Sequence, residues 1–158
     1  MRYPIVVLCA LLVGVSGEAN AGPITWADWT SAALGTPGSA TGSIDTGSSI
    51  VLVDYAGEVS SPTQFSGGVN YWEPSTPYRS ATVDNAPPCC DIIALTGGNA
   101  LVNTVAFSSP VTNPVMGIVS LGQPGVPIRY AFNQPFEVLS FGPGFWGGPG
   151  TLTEEPGN

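Results

Sequence analysis

The sequence predicts an all-β domain, an antiparallel β-sandwich of jelly-roll type. Three observations predict it. The apolar segments are short and rich in β-branched residues. They are separated by clusters of Gly, Pro, Ser and Asn, in a chain with 21 Gly and 16 Pro, which is the punctuation of strands and turns. No segment carries an amphipathic pattern three helical turns long.

The first element is a leader. Met1-Arg2-Tyr3-Pro4 precedes an apolar run from Ile5 to Val15, and a short polar stretch ends in Ala19-Asn20-Ala21. A basic tip, an apolar core and an A-x-A site are the parts of a secretory signal peptide, so cleavage is expected after Ala21. The run is too short for a membrane span, which takes about 20 apolar residues. A buried strand or helix is the alternative reading of the same run. Cys9 follows Leu8, where lipoprotein processing requires a small residue, so no lipid anchor is expected. Residues 1–21 are thus read as the signal peptide and 22–158 as a single β-rich extracellular domain.

Ile24–Trp29 reads as a first strand or short turn. Gly35–Ser49 reads as a Gly/Ser/Thr-rich connection with a short strand near Ser43-Ile44. Ile50–Tyr55, Asp91–Thr96, Asn103–Ser108, Val115–Leu121, Ile128–Asn133 and Phe136–Phe141 are the clearest strands. In Ile128–Asn133 the residues Ile128, Tyr130 and Phe132 share one face, and Arg129, Ala131 and Asn133 the other. Ser60–Cys90 has no regular pattern. A connection that long usually has a function or hides strands, and its aromatics Phe65, Tyr71, Trp72 and Tyr78 predict that it packs on the body of the domain.

Composition excludes several classes of function. The chain has 3 Lys+Arg, 11 Asp+Glu and no His, for a net charge of −8. Such a surface has little to offer phosphate backbones or anionic membranes, so neither nucleic acid nor membrane is an expected partner. With 43% hydrophobic residues and aromatics spread along its length, the chain is composed to fold. Beyond the leader, the cysteines are the adjacent pair Cys89 and Cys90, which cannot staple distant segments. They read either as a vicinal disulfide or as one buried small hydrophobe beside an incidental neighbour.

Without His or Lys there is no Ser-His-Asp triad, Cys-His pair, histidine zinc site or Schiff base. Gly142–Gly147 fits G-x-G-x-x-G, but Gly148-Pro149-Gly150 follows where a dinucleotide site needs a helix. That segment reads as a turn presenting Phe145 and Trp146. No catalytic residue and no cofactor are assigned. Paired carboxylates are the remaining enzymatic option, in the manner of a glycoside hydrolase, with Glu58, Glu73, Asp84, Asp91 and Glu137 as candidates. Asp84, Asn85 and Asp91 are candidates for an irregular calcium site, although no EF-hand loop is present. Tyr71, Trp72, Tyr78 and Trp146, with Phe145 beside the last, lie in Gly/Pro-rich segments and are the candidate residues for stacking on sugar rings. The competing reading is that these rings fill the core.

Several phrases together carry a resemblance: Ile24-Thr25-Trp26-Ala27-Asp28-Trp29-Thr30-Ser31-Ala32, Asn70-Tyr71-Trp72, Ser80-Ala81-Thr82-Val83-Asp84-Asn85-Ala86-Pro87-Pro88, Ser109-Pro110-Val111-Thr112-Asn113-Pro114-Val115-Met116 and Ser120-Leu121-Gly122-Gln123-Pro124-Gly125. The chain resembles PEP-CTERM proteins, the exosortase-sorted exported proteins of Gram-negative bacteria that make exopolysaccharide. The resemblance implies a β-rich ectodomain, periplasmic, at the cell surface or extracellular, with exopolysaccharide or other surface components as partners. It carries no catalytic residues. It also implies further strands and a sorting segment after Gly144–Asn158, where this sequence reads Glu154-Glu155-Pro156-Gly157-Asn158. The expectation is therefore a domain truncated at its C-terminal end, engaging sorting machinery only through such a segment, with an open sheet edge. The function expected from the sequence is non-enzymatic display at the cell surface or in the extracellular matrix. Carbohydrate binding through loop aromatics is the alternative.

Overall fold

The computed structural model describes residues 5–11, 22–97, 101–122, 125, 128–148 and 150–154, the first of these segments as backbone alone. Eight strands follow in order: β1 (Ile5–Leu11), β2 (Thr25–Trp26), β3 (Asp28–Ala33), β4 (Gly35–Asp45), β5 (Ile50–Gln64), β6 (Ile92–Leu95), β7 (Thr104–Phe107) and β8 (Pro114–Val119). A single 3₁₀ turn, Thr76–Tyr78, is the one helical element among the described residues. The fold is all-β and its ladders are antiparallel.

The strands link into one curled sheet in the order β2-β1-β6-β5-β4-β3, with β7 added to β5 and β8 to β1. The 15-residue β5 makes this continuity possible. Its first part pairs with β4 on one edge and β7 on the other. Its last part shifts register and pairs with β6. Its burial alternates as the strand period requires: Val51, Val53 and Tyr55 point inward, while Leu52, Asp54 and Ala56 point outward.

The sequence reading of Gly35–Ser49 as mostly connection is corrected. Gly35–Asp45 is an 11-residue strand paired on both edges, with β3 and β5. It contributes little apolar surface, with Ala40 and Ile44 as its buried side chains. Hydrophobic periodicity is therefore nearly silent there, and backbone pairing supplies the order. Gly42 shows why small residues suit it. A Cβ at that position would run into the Asp28 carbonyl oxygen and come within 3.0 Å of the Trp29 Cα. The β4–β5 turn is closed by side chains: Asp45 accepts the Gly47 N–H at 2.8 Å, and the Thr46 hydroxyl donates to the Ser49 carbonyl at 3.0 Å.

Ile50–Tyr55, Asp91–Thr96, Asn103–Ser108 and Val115–Leu121 each hold a strand. Ile128–Asn133 and Phe136–Phe141 do not. In the first of these two, burial alternates as expected: Ile128, Tyr130 and Phe132 are half-buried, and Arg129, Ala131 and Asn133 are exposed. Alternation needs only an extended chain, whereas a strand needs a neighbour to pair with, and here side-chain packing replaces the ladder. Tyr130 and Phe132 stack at 6.2 Å, and Phe132 meets Phe136 at 4.8 Å.

The irregular stretch after β5 packs on the body of the domain, as its aromatics suggested. Trp72, Tyr78 and Val83 join Trp26, Trp29, Val53, Val59, Ile92, Ile93 and Val119 in one core. No described helix is long and apolar enough to cross a membrane.

Candidate aromatic binding face

The segment from Asn70 to Tyr78 divides its aromatics between core and surface. The Asn70 side chain accepts the Trp72 N–H at 3.1 Å, closing a tight Asx turn. That turn sends Trp72 inward, where it is 1% exposed and donates its indole N–H to the Asp91 carbonyl at 3.1 Å. Tyr78 follows it in and packs edge-on against Trp72 at 5.1 Å. Burial pushes the Tyr78 phenol up to about 12, because the charged form loses hydration there. Trp72 and Tyr78 are thus corrected from sugar-stacking candidates to core residues, since neither has a ring face open to a ligand. Tyr71, the residue before Trp72, stays half-buried at the surface.

The C-terminal tract lies over this segment. The Ser140 hydroxyl donates to the Pro77 carbonyl at 2.6 Å, and Gly142 sits against the Pro77 ring. Gly147 donates its N–H to the Gly144 carbonyl at 2.8 Å. Phe145 and Trp146 are therefore the corner residues of a four-residue turn. Gly147 has φ +69°, a conformation that glycine adopts without strain. Gly144 lies so close to Tyr78 that a Cβ would stand 3.1 Å from the phenolic oxygen.

The turn brings three rings together. Tyr71 and Trp146 stack at 5.3 Å with an interplanar angle of 21°. Phe145 meets Tyr71 edge-on at 5.0 Å and Trp146 at 5.0 Å. Phe145 and Trp146 are each 41% exposed. Of the loop aromatics singled out in the sequence, the structure joins Tyr71, Phe145 and Trp146. Proximity across more than 70 residues leaves no local signal.

The calcium candidates do not converge. The Asn85 amide is spent on Ile24, accepting its N–H at 2.7 Å and donating to its carbonyl at 2.9 Å. Asp91 is buried and accepts the Trp29 N–H at 2.9 Å. Asp84 is exposed, and its own N–H goes to the Gly22 carbonyl at 3.2 Å. Among the described residues no three His, Cys, Asp or Glu side chains cluster as metal ligands.

The carboxylates proposed for hydrolysis are occupied or scattered. Glu58 is buried, and its two oxygens accept the N–H groups of Thr96 and Gly97 at 2.9 and 3.0 Å. It borders a small cavity of about 170 Å³ lined by Thr36, Pro37, Gly57, Leu101 and Val102, where its carboxylate is already committed to those backbone donors. Glu73 is exposed and accepts the N–H of Ser75 in its own turn. Glu137 is exposed. Asp91 has a carboxyl neighbour, Asp28, that nothing in the sequence singled out. Burial raises the Asp91 pKa, the Trp29 N–H opposes the rise, and Asp28 adds to it.

Cys90 is buried beneath the Gly68 carbonyl, while Cys89 is exposed, and their sulfurs adjoin as a vicinal pair.

No protein-family model, curated protein or solved structure matches the chain.

Proposed function

We propose that this chain is an exported, non-enzymatic β domain for display at the cell surface or in the extracellular matrix, and that it binds extracellular polysaccharide through Tyr71, Phe145 and Trp146. The observation that carries the binding reading is the exposed three-ring cluster, held in place by a turn seated on the core. Aromatic faces bind the C–H faces of sugars through apolar contact and need no charge. The surroundings suit a neutral or weakly polar ligand, since the whole chain has only three basic side chains. The export reading rests on the leader pattern of residues 1–21 and on the PEP-CTERM resemblance. A catalytic reading has less support, because Glu58, Glu73 and Asp91 already hold backbone N–H groups.

The test is binding of the full chain to the exopolysaccharide of the producing bacterium, measured by affinity electrophoresis. Trp146→Ala and Tyr71→Ala should each weaken retention about tenfold, which corresponds to about 1.4 kcal/mol. Equal retention of both variants and the native chain would sink the binding reading. N-terminal sequencing of the exported protein tests the leader separately, with Gly22 expected as the first residue.

A further inference from the structure

Strand β1, Ile5–Leu11, comes from the apolar run read as a leader, and it lies inside the sheet. One edge pairs with β8 from Val6↔Val119 to Leu11↔Pro114. The other pairs with β6 through Ile5↔Leu95, Val6↔Ala94 and Val7↔Ile93, and with β2 through Ala10↔Trp26 and Leu11↔Thr25.

Its neighbours are built to be covered on that side. All four residues of β6 are buried. The far edge of β6 is already served by β5: Ser60 pairs with Ala94, the Ser60 hydroxyl donates to the Ala94 carbonyl, and Thr63 accepts the Ala94 N–H, both at 3.0 Å. β8 has β1 as its strand partner in the sheet order, and its Gly117 and Val119 are buried. Without β1, facing N–H and C=O groups of β6 and β8 would border a gap of about two strand spacings, on the order of 10 Å. An open edge of this kind recruits whatever strand can fill it.

We propose that the groove between β6 and β8 is a strand-acceptor site, that its occupant is the chain's own segment Ile5–Leu11, and that removal of this segment opens the site. The segment suits the role. Ile-Val-Val-Leu-Cys-Ala-Leu carries no charge, no proline and no glycine, and its first three residues are β-branched, as a strand covered on both edges requires. The recognition is β-augmentation, in which backbone pairing gives affinity and an apolar strand gives selectivity. The acceptor site stands on the pairing alone; only the step that opens it, cleavage after Ala21, rests on the export reading. In the uncleaved chain, the same residues cannot lie in the sheet and be offered as an export signal at once. Folding before export would hide the leader.

Two measurements on the full, uncleaved chain test this. Cys9 is the cross-strand partner of Met116. With Cys89 and Cys90 changed to Ser, Met116→Cys should form a disulfide with Cys9 under mild oxidation, and Val119→Cys, three pairs away in register, should not. Hydrogen exchange of the unsubstituted chain is the second measurement. Amides of Val6 to Leu11 should exchange at least about a hundredfold more slowly than free peptide. Val7→Pro should lower protection in residues 93–95 and 115–119 while leaving the β4–β5 ladder protected. Free exchange of the leader amides, or equal cross-linking at positions 116 and 119, would overturn the proposal. Neither result bears on whether the exported chain begins at Gly22, so failure of the acceptor site and failure of the export reading remain distinct.

Discussion

The carboxylate of Asp91 accepts the backbone N–H of Trp29 at 2.9 Å, across 62 residues of sequence. The same residue's carbonyl accepts the indole N–H of Trp72. Asp91 therefore fastens the start of β3 and the irregular segment to the entry of β6. A charged carboxyl held in such a place is a cost. Burial raises its pKa, and the Asp28 carboxylate raises it further against the opposing Trp29 hydrogen bond. The folded-state value lies above the unfolded one, so the folded chain binds more protons between the two. Stability from this group is full below the unfolded value, about 3.9, and is lost as pH rises through the folded value. Asp91→Asn keeps an acceptor for Trp29 and removes the charge. Its melting temperature should exceed that of the native chain at pH 7 and approach it near pH 3, with the difference opening across that window. A variant less stable than the native chain at pH 7 would contradict this.

Two core tryptophans should differ in what they lose on truncation. Trp72 and Trp29 are both almost fully buried. Trp72 satisfies the Asp91 carbonyl, whereas the Trp29 indole nitrogen is buried with no hydrogen-bond partner among the described residues. Trp72→Phe removes ring volume and leaves a buried carbonyl unpaired, for a cost of about 2–4 kcal/mol. Trp29→Phe removes ring volume but also an unsatisfied donor. It should cost at least about 1 kcal/mol less, read from urea midpoints at constant slope.

Much of this division could not be read from the sequence, for reasons visible at particular residues. The all-β class was legible, because Ile50–Tyr55 and Asp91–Thr96 carry their apolar residues in short, well-punctuated runs. β4 was legible only near Ser43-Ile44, because the Gly, Thr and Ser before it show no periodicity and its order comes from neighbours on both edges. Trp72 and Tyr71 are adjacent, yet one fills the core and the other faces the surface. Composition treats them alike, and the Asn70 turn that separates them acts only in three dimensions. The stacking of Tyr71 on Trp146 depends on how residues 140–147 return over Pro77 and Tyr78, which no local pattern records. The apolar run at residues 5–15 has the flanks of a leader. Its pairing in the sheet depends on β6 and β8, far along the chain.

Asn85 distinguishes a structural amide from a calcium ligand. Its side chain pairs with both backbone groups of Ile24, and its carbonyl accepts the Trp26 indole N–H at 3.3 Å. Asn85→Ala loses two hydrogen bonds and should cost about 1–2 kcal/mol. Asn85→Asp can still accept the Ile24 N–H but sets a carboxylate against the Ile24 carbonyl, so at pH 7 it should be no more stable than Asn85→Ala. Millimolar calcium should leave the native melting temperature unchanged. A calcium site would instead raise it in the native chain and again in Asn85→Asp.

Gly42→Ala should be among the most damaging small changes in the molecule. The added methyl meets backbone of β3, the Asp28 carbonyl and the Trp29 Cα, and backbone cannot rotate aside. Separation of β3 from β4 would disturb Trp29 and, through it, Asp91. A loss of about 2–3 kcal/mol is expected, at the upper end for overpacking. Gly47→Ala serves as the contrast. A Cβ there has open space around it, but the position has φ +77°. Its cost should be about 1 kcal/mol, from backbone strain alone. Thermal melts of the two variants side by side should give that order.

Gly144 separates the role of the aromatic face from the stability of the fold. Its turn sits directly on Tyr78, and a Cβ would stand 3.1 Å from the phenolic oxygen. That contact is tight but not impossible, because the turn carrying Phe145 and Trp146 can lift away from the body. Lifting it would pull both rings off Tyr71, whose stacking on Trp146 depends on a separation of 5.3 Å. The core beneath would keep its Trp72–Tyr78 packing, so Gly144→Val should change the melting temperature little. It should weaken polysaccharide retention as much as Trp146→Ala does, if the three rings act as one surface. Retention lost only in Trp146→Ala would mean that the indole acts alone and the arrangement of the turn is incidental. A large drop in melting temperature for Gly144→Val would show instead that residues 140–147 are part of what holds the core together.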